Sequence, residues 1–136
     1  MSDEVLLIAS DHLSKSGYDV IVDAAPEVRC IGFENDVLFG FLFVFDSAEA
    51  LLDRWSAISE EVYSRYQFQI RSSRDKAWNA YSILLAEGQS TEQQRRLFSE
   101  IEEDLVGTRK IARSVSPDET EIRNALLPVL RLQKAP

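Results

Sequence analysis

Apolar positions along this chain follow two rhythms, one helical and one alternating, and the changes between them mark the elements. Leu6, Leu7, Ala9 and Leu13 recur at partial helical spacing after Ser2, Asp3 and Glu4, and Gly17 stops them, which predicts a helix near 3–15. Tyr18 to Asp23 and Val28 to Phe33 are rich in β-branched residues and are split by an Ala-Ala-Pro-Glu break. After the turn-prone Glu34-Asn35-Asp36 comes Val37 to Phe45, the longest apolar run in the chain. These stretches predict three strands in a meander, the last of them buried. Asp46 with Glu49 three residues on forms a capping-box pattern, and Leu51, Leu52, Trp55, Ile58, Val62 and Tyr66 make the apolar stripe of a long helix.

The second half reads less evenly. Gln69 to Asp75 is a polar segment, and the apolar, aromatic stretch Ala77 to Ala86 predicts a returning strand, with a helix as the alternative. Thr91 caps a helix through Leu105 with a core face of Leu97, Ile101 and Leu105, and Gly107 ends it. A capping box at Ser116, with Pro117 and Glu119 at the first and third helical positions, opens a last helix through Ile122, Ala125 and Leu126, which Pro128 closes. The predicted fold is a single α+β domain over 1–136. It has a small, mostly antiparallel sheet of about four strands, packed by a long central helix and two or three others.

Composition adds a polarity. The formal charge is −8, which disfavours free nucleic acid as a direct partner. Residues 1–61 hold 13 acidic and 3 basic side chains, whereas the remainder holds 10 and 12. That asymmetry fits either a solvated acidic face or an acidic surface offered to a basic partner. A single cysteine excludes an internal disulfide and multi-cysteine metal sites. The N-terminus lacks a basic signal region and no run reaches the roughly 20 apolar residues that span a bilayer, so a cytoplasmic protein without membrane contact is expected.

Catalytic chemistry finds little purchase. His12 is the only histidine, expected at the surface, and Cys30 sits within an apolar strand pattern that reads as a buried structural thiol. Five scattered glycines build no phosphate loop, and no lysine follows a carboxylate by two positions as in metal-nuclease cores. Glu100, Glu102, Glu103 and Asp104 diverge on a helix and read as a solvated face. No metal and no cofactor are expected. An enzyme built from dispersed carboxylates would need Asp or Glu groups with raised pKa in a pocket.

Two segments carry more than scaffolding requires. Lys76-Ala77-Trp78-Asn79-Ala80-Tyr81 alternates large aromatics with small residues beside the basic Arg71 and Arg74, as an interface or a completed core would. In Ile101-Glu102-Glu103-Asp104-Leu105-Val106-Gly107-Thr108-Arg109-Lys110-Ile111-Ala112-Arg113 a block of acid is followed by a block of base. There Arg109, Lys110 and Arg113 either pair with Glu102 and Asp104 or grip a partner. The candidate interface is therefore Arg71, Arg74, Lys76, Trp78, Asn79, Glu102, Glu103, Asp104, Arg109, Lys110 and Arg113.

Those two words, with Phe39 to Asp46 and the Trp55 helix, resemble the small middle components of bacterial ABC-three-component systems from about Val37 to Leu130. They resemble, more loosely, the accessory subunits of Lamassu-type anti-phage systems. The resemblance implies a non-catalytic subunit of a hetero-oligomer, working beside an SMC-like or ABC-type ATPase and an effector, often a nuclease, in defence against phage or plasmids. Contact with nucleic acid would then run through the partners. It supplies no catalytic motif, and it assigns Trp78, Asn79, Arg109, Lys110 and Arg113 to fold maintenance or partner contact. The first 36 residues lie outside it. A stand-alone acidic inhibitor covering a basic site remains the rival reading.

Overall fold

Phe39–Phe45 dictates the architecture, because Phe-Gly-Phe-Leu-Phe-Val-Phe is apolar at both parities and a strand of that kind must be covered on both faces. The structure, a computed structural model, describes residues 3–21, 29–72 and 80–132, and at 66–72 and 131–132 the backbone alone. In chain order its elements are α1 (Glu4–Lys15), β1 (Asp19–Ile21), β2 (Cys30–Glu34), β3 (Phe39–Phe45), α2 (Ala48–Ser72), β4 (Ala80–Glu87), α3 (Glu92–Glu102), β5 (Arg109–Val115) and α4 (Glu119–Leu132). The strands form one sheet in the order β1-β2-β3-β4-β5.

The expected meander is present: β1, β2 and β3 pair antiparallel. Asn35 makes the β2–β3 turn, its Oδ1 accepting from the amides of Val37 and Leu38 at 2.9 Å each. The expected small sheet of about four mostly antiparallel strands is thus close, and differs in detail by being mixed. The described residues form five strands, and β4 and β5 add in parallel, β4 to β3 and β5 to β4. Each parallel step needs a crossover, which α2 and α3 supply. Two successive crossovers of one hand, progressing in one direction, put both helices on one face. Accordingly α2 and α3 share that face, while α1 and α4 pack together on the other.

Side-chain parity sorts the core into two. Phe39, Phe41, Phe43 and Phe45 join Leu51, Leu84, Phe98 and Ile101 under α2 and α3. Leu38, Leu42 and Val44 join Ile83, Leu85, Ile111, Leu126 and Val129 under α1 and α4. On the α2–α3 face the register sets Phe39 opposite Ala80, Phe41 opposite Ser82 and Phe45 opposite Ala86, large against small, while Phe43 faces Leu84. Cys30 is a buried thiol, as its strand pattern predicts.

Several element ends differ from the reading of the sequence. Ser47, not Asp46, caps α2, its Oγ accepting from the amide of Ala50 at 3.0 Å; the Asp46 carboxylate is engaged by Arg29 instead. The helix runs on to Ser72, into the polar segment that begins at Gln69, so Arg71 lies in its last turn. Thr91 does cap α3 through a capping box with Gln94. However, α3 stops at Glu102, Phe98 and Ile101 form its core face, and Leu97 and Leu105 are exposed. Asp118, not Ser116, caps α4, accepting from the amides of Thr120 and Glu121, because Glu121 takes both the amide and the hydroxyl of Ser116. Pro128 lies inside α4 rather than closing it. Pro128 and Asn124 are both exposed, so water can satisfy the Asn124 carbonyl that the proline leaves without a helical donor.

Gly40 is required by packing. Phe33 pairs with it across the β2–β3 ladder, and a Cβ there would stand 2.4 Å from Phe33 Cζ. The Phe33 ring cannot swing away, being fully buried and edge-on to Tyr18 at 5.2 Å between centroids. Gly40→Ala is expected to destabilise the domain by about 1–3 kcal/mol through overpacking. Chemical denaturation should show a lower midpoint at unchanged slope, with the loss partly restored by adding Phe33→Leu.

Candidate functional site

The acid-then-base segment folds back on itself. α3 ends at Glu102, the chain turns through Gly107 at φ +82°, and β5 begins at Arg109 along the open edge of the sheet. Glu102 reaches that edge: its Oε2 accepts from the Ala112 amide at 2.7 Å and also holds Arg113 Nη1. An edge strand offers unpaired amides to any passing strand, and here one carboxylate and one guanidinium close over the middle of it. Burial pulls the Arg113 guanidinium below its ordinary pKa.

Asp104 and Lys110 fix the turn. Asp104 Oδ1 accepts from the Val106 amide at 2.9 Å and lies 3.4 Å from Lys110 Nζ, while Nζ donates to the Val106 carbonyl at 2.6 Å. The Val106 amide, then the nearby ammonium, holds the Asp104 carboxyl below its usual range. Lys110 is only 8% exposed, and beside it the hydroxyls of Ser82 and Thr108, equally buried, bond each other at 2.9 Å. Arg109 instead is exposed, with its guanidinium carbon 6.0 Å from the centroid of the Tyr81 ring.

The predicted candidates thus divide. Glu102, Asp104, Lys110 and Arg113 come together in internal pairs, and Arg109 and Glu103 face outward. Arg74, Lys76, Trp78 and Asn79 lie outside the described residues, and of Arg71 only the backbone is described. Tyr81, from the same aromatic word, is buried in the core of the α1–α4 face. His12, expected at the surface, is half-buried, and its Nε2 is buried with no partner among the described residues. Among the described residues no group of acidic, histidine or cysteine side chains is arranged to hold a metal ion. No described helix is long and apolar enough to cross a membrane.

A second charged centre was not legible as a motif. Arg29, at the start of β2, meets Asp3 before α1 at 3.2 Å, Asp46 after β3 at 2.8 Å, and Glu87 at the end of β4. Burial works against its charge, but the hydrogen bond and charge of Glu87, then Asp3 and Asp46, outweigh it and raise its pKa. Arg29 also lines a cavity of about 170 Å³ with Asp46 and Arg54. Cavities at the carboxyl ends of parallel strands are where α/β sheets hold ligands. With three carboxylates already around Arg29, this one is a tie between elements rather than an anion trap.

A family profile described as ABC-three component (ABC-3C) system Middle Component 1 matches residues 39–128. The chain belongs to that family. The match begins at the first residue of β3 and ends at Pro128 of α4, so it takes in both crossovers and the whole Glu102–Arg113 segment. The meander's first two strands and α1 lie outside it. No curated protein and no solved structure matched the chain.

The geometry separates three residues that read alike in sequence. Glu102→Ala should leave the Ala112 amide unpaired at a buried position and destabilise the domain by about 1–3 kcal/mol. Amide exchange at Ala112 should rise sharply in that variant, and stay protected in Glu102→Gln, whose carbonyl still accepts. For the turn, Arg109→Glu should fold with a loss of about 1 kcal/mol or less, the scale of an exposed cation–π contact. Lys110→Glu sets a second carboxylate against Asp104 in a buried site and should lose about 3–5 kcal/mol. Thermal unfolding of the two variants side by side distinguishes them.

Proposed function

We propose that this middle component is a non-catalytic accessory subunit of a bacterial defence complex. It would bridge an SMC-like or ABC-type ATPase and an effector, often a nuclease, with nucleic acid contacted by those partners. The observation that carries the reading is the family match across β3 to α4, which makes the chain one component of a multi-component system. The surface supports it. The −10 charge imbalance of residues 1–61 and the outward-facing Arg109 give the chain two electrostatically different regions to offer to two partners. A single domain acting in the cytoplasm completes the proposal. The acidity of the first half also favours a second reading, a one-to-one inhibitor of a basic toxin or nuclease.

Co-expression with the proteins encoded beside it tests the bridge. Affinity capture of the ATPase should bring down the effector only when this chain is present, and the three should elute together. Capture of the effector without this chain, or elution of this chain alone, overturns the bridging role. A stable binary complex with a lone toxin-like neighbour would establish the inhibitor.

A further inference from the structure

The polar face of β5 and the middle of α2 leave an open groove of about 280 Å³ between them. Its floor is Ser82, Thr108 and Lys110, all at most 8% exposed. One wall is α2, presenting Trp55, Ser59, Glu60 and Tyr63, and the other is the α3–β5 turn with Asp104 and Val106. At the lip the turn exposes two adjacent aliphatic side chains, Leu105 at 69% and Val106 at 85%. Such a pair on a turn locked by Asp104 and Lys110 is placed to be covered by something.

Open polar valences lie inside the groove. Ser59 Oγ is buried and has no hydrogen-bond partner among the described residues. The Lys110 ammonium carries three donors, of which Asp104 and the Val106 carbonyl take two. A peptide backbone can meet both, with its amide toward Ser59 and its carbonyl toward Lys110. Charge narrows the occupant further. Lys110 is neutralised by Asp104, so the exposed Glu60 leaves the groove's lining acidic. A second copy of this chain brings −8 of its own, and a phosphate polymer or anionic lipid surface is repelled in the same way.

We propose that this groove docks an extended segment of a partner protein in which an aliphatic side chain, packed on Trp55 and Val106, is flanked by Lys or Arg. This would be where the accessory subunit meets one of its partners, and it rests on that reading only for the partner's existence.

Panning a random 12-residue phage library on the intact chain tests the site without assuming the partner, so its outcome is independent of the co-purification result. The enriched peptides should share an aliphatic residue flanked by basic ones. In NMR titration the synthetic consensus peptide should shift the amides of Ser59, Val106 and Lys110. The double variant Leu105→Ser/Val106→Ser removes two exposed anchors and should weaken that peptide by about tenfold or more. Glu60→Lys, on an exposed helical position, checks the same site should the turn variant fold poorly, and should weaken binding several-fold. An acidic or featureless consensus, equal enrichment on the variants, or shifts confined to other surfaces overturns the proposal. So does a dimer in sedimentation that the turn variant abolishes, since that would seat a second copy in the groove.

Discussion

Everything in this fold answers to one constraint: β3 is buried along its whole length on both faces. A strand with phenylalanines at one parity and Leu42 and Val44 at the other cannot lie at the surface of a one-sided sheet. It needs a neighbour on each side and a helical layer on each face. The β2 hairpin provides one neighbour and β4 the other, with α2 and α3 above and α1 and α4 below. The parallel arrangement of β3, β4 and β5 follows, because only a parallel return lets the intervening helix lie across the sheet and cover those phenylalanines.

Once the centre is apolar on both faces, charged groups are left to manage the ends and the edge. Arg29 ties the start of β2 to the ends of β3 and β4 and to the residue before α1, joining elements from both layers at one end of the sheet. Glu102 and Arg113 do comparable work at the β5 edge, where the ladder runs out of strands. These pairs are partly exposed, so their Coulomb energy is screened and modest. Their value is geometric: each fixes where a chain segment leaves the hydrophobic layers and in which direction it goes.

The sequence made some of this plain and hid the rest for physical reasons. The β1–β3 meander and the long α2 were legible because their periodicity arises from burial of one continuous stretch. Strand direction was not, since Ala80–Glu87 would read the same run either way beside β3. β5 escaped notice because an edge strand whose Arg109, Lys110 and Arg113 go to solvent or to ion pairs loses the alternation that marks a strand. Leu105 looked like a helix core residue from its spacing to Ile101, but Gly107 and the Asp104 turn end the helix before it. Arg29 had no local signature, since its partners Asp3, Asp46 and Glu87 are all distant from it in sequence. The Glu102–Arg113 word was conspicuous as a word, and the resemblance it carried led to the family. Which of its charges point inward depends on the strand parity of β5, which the sequence did not reveal.

That parity decides how the segment can act. Because Lys110 falls on the α2 side of β5 together with Ser82 and Thr108, its charge is consumed in holding the Val106 carbonyl and Asp104. The basic block therefore contributes much less positive potential at the surface than its composition implies, and among the described residues the unpaired charge lining the groove is that of Glu60. The same bonds fix the backbone of the turn, so Leu105 and Val106 are presented by an ordered loop. A partner that covers them need not first freeze the loop, and side-chain or loop ordering is one of the main costs that separates contact area from affinity. An acid–base run that resembles a cation patch in sequence thus works in the fold as a clamp, and what the clamp displays is apolar.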